Sequence, residues 1–416
     1  MWSLRARGKL RSVRRAQGGN RLTAQQVARP VKPEAVLIDA CRTPIGRAFK
    51  GAFAKTRSDD LGAWCIEGLL ARTKLDAKWV EDALVGCAMT EGPQGYNVAR
   101  QVALLGGLPD SSGAATINRF CSSSAYAMAT AHATIEAGWN DCIVAGGVET
   151  MSLIPMVGMT PELYVNPRMW DRRKTYYNSM GVTAEEVAVR YKVSREDMDR
   201  WGVRSHNRAE AAQKAGLFDA EIVPVTVPGP DGKPVTVSRD EGIRHGATYE
   251  ATAALKPAFK PDGTVTAGNA SQMSDGAAMS LITSSKFAEE HSLEPKARIL
   301  GAAVAGVEPE VMGIGPIPAV RKVLKQTGAA IADLDRFEIN EAFASQVLAS
   351  IRELGVPEEI VNVEGGAIAL GHPLGASGTR IAAHILNALG RQGGGLAMET
   401  MCVGGGQGFA VLYEVY

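Results

Sequence analysis

Two cysteines, one histidine and one asparagine in this chain stand in settings that suit chemistry. The first cysteine lies in Asn118-Arg119-Phe120-Cys121-Ser122-Ser123-Ser124. The small-residue run 125–137 after it predicts a buried helix, and Ala114-Ala115-Thr116-Ile117 before it predicts a short strand. Cys121 is therefore expected at a helix N-terminus, where free backbone N–H groups and the positive dipole end favour a thiolate and lower its pKa. The serines after it are expected to cap the first turn. A lone cysteine at a helix start is most often a small buried side chain. The far end of the chain changes that reading.

There, residues 363–380 read Val-Glu-Gly-Gly-Ala-Ile-Ala-Leu-Gly-His-Pro-Leu-Gly-Ala-Ser-Gly-Thr-Arg. The glycines permit tight turns, and Pro373 fixes His372 at the head of a second small-residue helix. A histidine held so, opposite a helix-start cysteine, is a candidate base. Cys402 lies in Met401-Cys402-Val403-Gly404-Gly405-Gly406-Gln407-Gly408. Such a glycine run exposes N–H groups that can cradle an oxyanion. It lacks the Lys-Ser/Thr ending of a phosphate-binding P-loop. Asn340, in Asn340-Glu341-Ala342-Phe343, ends a strand and could position a water or a carbonyl.

These residues need a scaffold, and the chain is long enough to supply a large core in two or three domains. No apolar run is long enough to span a bilayer. Cys41, Cys65, Cys87, Cys121, Cys142 and Cys402 show neither zinc spacing nor a CxxC pair, which argues for a reducing compartment and against a metal site. The net charge of +1 hides an asymmetry: residues 1–33 carry nine Lys and Arg and no acid, leaving 36 basic against 44 acidic residues in the body. A body at −8 is no nucleic-acid binder by charge. The leader 1–33 reads as a basic disordered extension, dispensable for catalysis, on a cytoplasmic bacterial protein; the alternative is a transit peptide to the mitochondrial matrix.

Along the body, Ala35-Val36-Leu37-Ile38-Asp39-Ala40 predicts a strand, 59–74 a helix, and Asp141-Cys142-Ile143-Val144-Ala145-Gly146-Gly147 a central strand. The alternation implies a mostly parallel α/β sheet. From Ser152 the texture shifts to Met, aromatic and charged residues. Helices are expected over 183–190, opened by a Thr183/Glu186 capping box, and over 195–214, with a hairpin turn at Pro228-Gly229-Pro230-Asp231-Gly232. The α/β pattern resumes after Ala297 and repeats the first half: 74–88 parallels 331–342, and each copy adds a helix followed by a strand. The expected domains are 34–151 plus 274–296 as the first half, 152–273 as an inserted loop domain, and 297–416 as the second half.

The chain resembles the thiolases over nearly all of 35–416. It carries their Cys-Ser-Ser at 121–123, Asn-Glu-Ala-Phe at 340–343, Gly-His-Pro at 371–373 and Cys-x-Gly-Gly-Gly-x-Gly at 402–408, in the family's order. The resemblance implies two duplicated βαβ-rich halves in a layered αβαβα arrangement. It implies reversible cleavage of a 3-ketoacyl-CoA by CoA, a co-substrate and not a resident cofactor, giving acetyl-CoA and a shortened acyl-CoA. Carried over, Cys121 becomes acylated, His372 takes its proton, and Cys402 moves the proton at the acetyl α-carbon. Asn340 holds a water in one oxyanion hole, and the N–H groups of Cys121 and Gly404 form the other. The Arg in Ile243-Arg244-His245-Gly246-Ala247-Thr248 packs on the adenine. Thr264-Val265-Thr266-Ala267-Gly268-Asn269-Ala270-Ser271 resembles the pantetheine-binding strand, with Ser271 bonding the amide.

Three departures stand out: Ser124 replaces the usual Gly, Ser179-Met180-Gly181 replaces His-Met-Gly, and Glu364 replaces Asn. None touches a catalytic role, but together they blur an assignment to the short-chain subgroup. The leading expectation is a degradative 3-ketoacyl-CoA thiolase acting in fatty-acid oxidation; the alternative is a biosynthetic acetoacetyl-CoA thiolase, which residues 312–319 and the Arg244 stretch suit and Ser179 counts against. A non-catalytic CoA- or lipid-binding relative is the remote alternative. The expected assembly is a homodimer or homotetramer.

Overall fold

The structure is a computed structural model that describes residues 33–229 and 231–416. The basic leader thus lies outside the described residues, save Pro33. The first half runs β1 (Ala35–Arg42), β2 (Gly46–Arg47), α1 (Ser58–Thr73), β3 (Asp82–Gly86), α2 (Val98–Leu105), β4 (Ala115–Ile117), α3 (Ser123–Glu136) and β5 (Cys142–Thr150). Then come α4 (Pro161–Tyr164), α5 (Pro167–Arg173), α6 (Met180–Arg190), α7 (Arg195–Lys214), the hairpin β6 (Val225–Pro228) and β7 (Pro234–Val237), and α8 (Tyr249–Ala253). The chain returns to the first half with β8 (Ser274–Ser284) and α9 (Ser285–Glu290). The second half is β9 (Ala297–Gly306), α10 (Pro316–Thr327), β10 (Arg336–Ile339), α11 (Ala344–Leu354), α12 (Ala367–Leu370), α13 (Ser377–Gly390), β11 (Gly395–Val403) and β12 (Gln407–Val415).

The strand order β10-β11-β12-β9-β1-β8-β5-β3-β4 makes the duplication visible. Read outward from its centre, β1-β8-β5-β3 is answered by β9-β12-β11-β10. The two sets meet at one pairing, Leu37 with Ala297. The sheet is mixed, not mostly parallel. Among the described residues, only the strand pairs β3–β4, β3–β5 and β10–β11 are parallel. The reason is local: Gly404-Gly405-Gly406 turns β11 straight back into β12, and β8 arrives antiparallel to β5 after the long excursion.

Alternation along each strand feeds three cores. Val36, Ile38 and Cys41 of β1 face α1 and α2, whereas Ala35, Leu37 and Ala40 face α3 and α13. Beyond β9–β12, Val320 and Val323 of α10 and Val347 and Leu348 of α11 close the far side. The result is five layers: α1/α2, sheet, α3/α13, sheet, α10/α11. The central helices have sheet on both faces, which explains their alanine-rich sequences.

Two local expectations fail. α6 begins one turn earlier than the capping box predicts, because Ser179 Oγ accepts from the Val182 N–H. Thr183, now inside the helix, donates back to the Met180 carbonyl at 2.6 Å. The stretch 264–271 is no strand but a run of turns ending in a single bridge, Ala270 with Phe343. Glu185 of α6 takes the Thr264 and Val265 N–H groups that a neighbouring strand would otherwise take.

Candidate active site

Cys121 sits in the short 3₁₀ turn Phe120–Ser122 that runs directly into α3. Phe120 has φ +45°, a left-handed bend stabilised by Asn118: its Oδ1 accepts from the Phe120 N–H at 2.9 Å and its Nδ2 donates to the Ala88 carbonyl. The serines do not cap α3. Ser123 Oγ accepts from the Arg119 N–H and donates to the Phe120 carbonyl, and Ser122 Oγ donates to the Arg119 carbonyl. The 3₁₀ turn already supplies the helix with carbonyl partners, so the hydroxyls brace the bend instead. Ser124 Oγ accepts from the Thr379 N–H at 3.0 Å, joining α3 to α13.

The expected thiolate is also absent. Burial pushes the Cys121 thiol up to about 12; the Gly404 and Cys121 N–H groups pull it down, and the Glu149 carboxylate raises it. The N–H groups act in the anticipated direction, but desolvation outweighs them. The resting sulfur is a neutral thiol flanked by the N–H groups of Cys121 and Gly404.

His372 lies between Gly371, at φ +105°, and Pro373. Its Nδ1 is 2.5 Å from Ser377 Oγ, which donates to the Pro373 carbonyl at 2.9 Å. Its Nε2 is 3.2 Å from Asn340 Nδ2. With Asn340 donating, Nε2 holds the lone pair and Nδ1 the proton. Burial and then Arg380 lower the imidazole to about 3, so it is neutral at rest.

Asn340 and Cys402 project from β10 and β11, the parallel pair of the second half. Asn340 follows the last β10 residue, its N–H donating to the Thr400 carbonyl, and its Oδ1 has no partner among the described residues. Cys402 is fully buried, with Sγ 3.7 Å from Gln346 Oε1. Burial, then Cys121, raises its thiol well above the usual value, which places the two sulfurs in one electrostatic neighbourhood. Gly404 opens the turn after that strand, and Gly405 and Gly406 take the positive φ values of +76° and +83° that the reversal requires.

A cavity of about 410 Å³ opens from Cys121, Gly404 and Gly405. Its outer wall comes from the inserted segment: Met156, Tyr164, Tyr176, Tyr177 and Met180. Arg244 and Ser271 are not in that wall. Ser271 donates its N–H to the Ala342 carbonyl, beside the Asn340 stretch; Arg244 lies on an exposed loop, its N–H donating to His206 Nδ1. A described cluster of three or more His, Cys, Asp or Glu suited to a metal is absent among the described residues.

Sequence reasoning passed over three supporting residues. Ser377 follows His372 by five positions, one helical turn on. Glu341 accepts from Trp201 Nε1, Ser205 Oγ, Asn362 Nδ2 and the Ile368 N–H, anchoring the strand end that carries Asn340. Glu149 is buried at the end of β5. An acid among apolar strand residues was the signal available for it.

Comparison with known proteins agrees with this architecture. The family model described as thiolase, N-terminal domain, matches residues 35–286, and that described as thiolase, C-terminal domain, matches 293–415. A 3-ketoacyl-CoA thiolase of Bacillus subtilis is 46% identical over 390 residues, 92% of this chain and 99% of the relative. A 3-oxoadipyl-CoA/3-oxo-5,6-dehydrosuberyl-CoA thiolase of Escherichia coli is 44% identical over 400 residues, with the same coverage. Among solved structures, human mitochondrial 3-ketoacyl-CoA thiolase superposes with a TM-score of 0.85 at 37% identity, covering 93% of this chain and 100% of that one. The acetyl-CoA acetyltransferase of Bacillus anthracis gives the same score at 38% identity. With both family models matched in order and nearly the whole of each relative covered, the chain belongs to the thiolase family.

Proposed function

We propose that the protein is a 3-ketoacyl-CoA thiolase, cleaving a 3-ketoacyl-CoA with CoA through an acyl-enzyme on Cys121. The observation that carries this reading is the neutral pair: a buried thiol among N–H donors, and an imidazole whose free Nε2 shares its surroundings with Asn340. Cys121 Sγ attacks the 3-keto carbon as its proton passes to His372 Nε2. The Cys121 and Gly404 N–H groups receive the negative oxygen. The bond between C2 and C3 breaks, leaving the acyl group on sulfur. The carbanion at C2 takes the Cys402 proton and departs as acetyl-CoA. His372 then returns its proton to the Cys402 thiolate; the CoA thiol attacks the acyl-enzyme as its own proton passes to His372, and Cys121 leaves as thiolate and takes that proton back. Neutral starting groups suit this sequence, since charge develops only when the substrate excludes water.

Asn340 serves the thioester oxygen in the second half-site, with His372. Arg244 and Ser271 take the adenine and pantetheine ends of CoA. The protein requires no resident cofactor, acts in fatty-acid oxidation in a bacterial cytoplasm, and assembles as a homo-oligomer. No described helix is long and apolar enough to cross a membrane. A thiolysis profile from acetoacetyl- to 3-ketohexadecanoyl-CoA tests the reading. Cleavage across the longer substrates supports it; cleavage confined to acetoacetyl-CoA moves the protein to acetyl-CoA acetyltransferase; cleavage of none overturns both.

A further inference from the structure

The duplication implies a second, mirrored set of positions, and the structure shows what fills it. Strand pairing fixes the equivalences. Gly86 pairs with Gly147 at the end of β3–β5, as Ile339 pairs with Thr400 at the end of β10–β11. One residue on, Cys87 answers Asn340. Two residues on, Glu149 answers Cys402. Cys121 is the middle residue of the turn Phe120–Ser122 before α3, and Gly375 is the middle residue of Leu374–Ala376 before α13. His372 stands three residues before Gly375, as Asn118 stands three before Cys121. The counterpart of the catalytic set is therefore Cys87, Glu149, Asn118 and Gly375.

That set has glycine at the position of Cys121, and a side chain there would have no room: a Cβ on Gly375 would meet the Val148 carbonyl at 2.6 Å and the Cys87 Cα at 2.8 Å. The Gly375 N–H, counterpart of the Cys121 N–H, donates to Glu149 Oε2 at 2.8 Å. The Ala88 N–H donates to the same oxygen at 2.9 Å, and the Met89 N–H to Oε1 at 3.3 Å. Gln94 Nε2 adds a bond of 2.6 Å and Cys87 Sγ a weak one of 3.9 Å. Glu149 is fully buried, and no Arg, Lys or His side chain bonds it among the described residues. A buried carboxylate with no counter-ion is costly unless donors surround it. Here five do, and they come from both halves.

We propose that Glu149 is a positioning residue for the acyl-transfer centre, its carboxylate occupying the silent counterpart of the active half-site and tying together the two turns that carry Cys121 and His372. One arm runs from Ala88, whose carbonyl accepts from Asn118 Nδ2, through Asn118 Oδ1 to the Phe120 N–H and so to Cys121. The other runs from the Gly375 N–H to the turn that begins at His372-Pro373. Ala88, Leu374 and Cys121 share one small core with Met151, just past the end of β5. No side chain but a carboxylate of this length offers two acceptor oxygens to donors on both turns. Burial is the main cause of the raised Cys121 thiol, and the Glu149 charge adds a smaller push in the same direction; burial also raises the Glu149 carboxyl, against the lowering effect of its N–H donors. Other titratable groups around this corner are Cys87, beside Glu149, Cys402, beside Cys121, His372, at the start of the Gly375 turn, and Glu91, which lines the same cavity as Cys121.

The inference rests on Cys121 and His372 being the acyl-transfer pair, and wild-type adduct mapping with acetyl-CoA tests that separately. The test of Glu149 uses the full chain with Glu149→Gln and Glu149→Asp. Glu149→Gln removes the charge and turns one acceptor into a donor facing the Met89 N–H and Gln94. Its far-UV circular dichroism should match the wild type. Its kcat should fall at least about tenfold in both CoA exchange and thiolysis, with KM for CoA changed by less than about threefold. Its Cys121 should alkylate with iodoacetamide at lower pH than the wild type does. Glu149→Asp keeps the charge but not the reach: kcat should fall while the alkylation profile stays. A kcat within about threefold of wild type in either folded variant overturns the proposal. So does a loss no larger than the unfolded fraction, or an unmoved alkylation profile in Glu149→Gln. Should Glu149→Gln fail to fold, Glu149→Asp decides on the same kcat criterion.

Discussion

Ser377 Oγ lies 2.5 Å from His372 Nδ1 while its own proton goes to the Pro373 carbonyl. The hydroxyl can then only accept from the ring, so Nδ1 carries the proton and Nε2 keeps the lone pair that accepts from Asn340 Nδ2. The bond runs from the proposed base to the first residue of α13. It sets the imidazole tautomer with a backbone carbonyl as the final anchor. Ser377→Ala removes that anchor. We expect kcat to fall roughly 10–100-fold with KM for CoA little changed, since the ring is misoriented and the CoA contacts are untouched. An unchanged kcat in steady-state thiolysis would mean that Gly371 and Pro373 alone fix the ring.

The raised Cys121 thiol makes its own prediction. A group held near 12 is almost wholly protonated at pH 7, so alkylation of the free enzyme should be slow. The rate should climb about tenfold per pH unit from 7 to 10, without the plateau near 8.5 of an ordinary cysteine. Acylation by acetyl-CoA should not share that slope, because there the proton leaves to His372 during attack. Iodoacetamide kinetics against pH, read by mass spectrometry at Cys121, checks both. A plateau at neutral pH would restore the thiolate that the sequence suggested.

That reversal shows what was legible and what was not. The order of Cys121, Asn340, His372 and Cys402, and the repeat of 74–88 in 331–342, could be read because each is local in sequence. The charge state of Cys121 could not, because desolvation depends on Leu374, Met151 and Ala88, which arrive from three separate segments. The serine caps failed partly for a local reason, since Ser122 and Ser123 bond to Arg119 and Phe120 to brace the bend, whereas Ser124 finds its partner in the other half, at Thr379. Parallel pairing was over-assigned since nothing in β8 or β12 alone announces its neighbour. Glu149 was invisible as a functional residue because its donors span Ala88 to Gly375.

Glu399 gives a stability test away from the site. It is buried on β11, its Oε2 accepting from Tyr413 OH at 2.8 Å and its Oε1 without a partner among the described residues. Burial raises its carboxyl to about 8, against the lowering effects of Tyr413 and Arg380. The folded protein therefore keeps a proton that the unfolded chain loses above about 4.5. By linkage, the stability this gives is complete below pH 4.5 and is lost progressively as pH rises through 8. Glu399→Gln keeps an acceptor for Tyr413 and never ionises. It should raise Tm by a few degrees at pH 8 relative to wild type, and by about 1 °C or less at pH 5. Equal shifts at both pH values in calorimetry would show that Glu399 does not titrate there.

Cys402 separates the two half-reactions. Its sulfur is buried at the end of β11, held near Gln346 Oε1, with Cys121 as its electrostatic neighbour. On the proposed reading, acylation of Cys121 uses His372 as base and the N–H groups of Cys121 and Gly404 as donors. None of these involves Cys402. Making or breaking the bond between C2 and C3 does, because a proton must reach or leave the acetyl α-carbon. In Cys402→Ala, Cys121 should still take an acetyl group from acetyl-CoA and exchange it with free CoA at near wild-type rates. Thiolysis should fall by about 10²–10⁴-fold, the contribution of a positioned general acid–base. Cys121→Ala should lose both activities. Truncating a buried sulfur to Ala leaves a small void, so folding should be checked by circular dichroism before the rates are compared. If exchange and thiolysis fall together in the folded Cys402→Ala protein, Cys402 takes part in acylation, and the assignment of proton transfer to it alone is wrong.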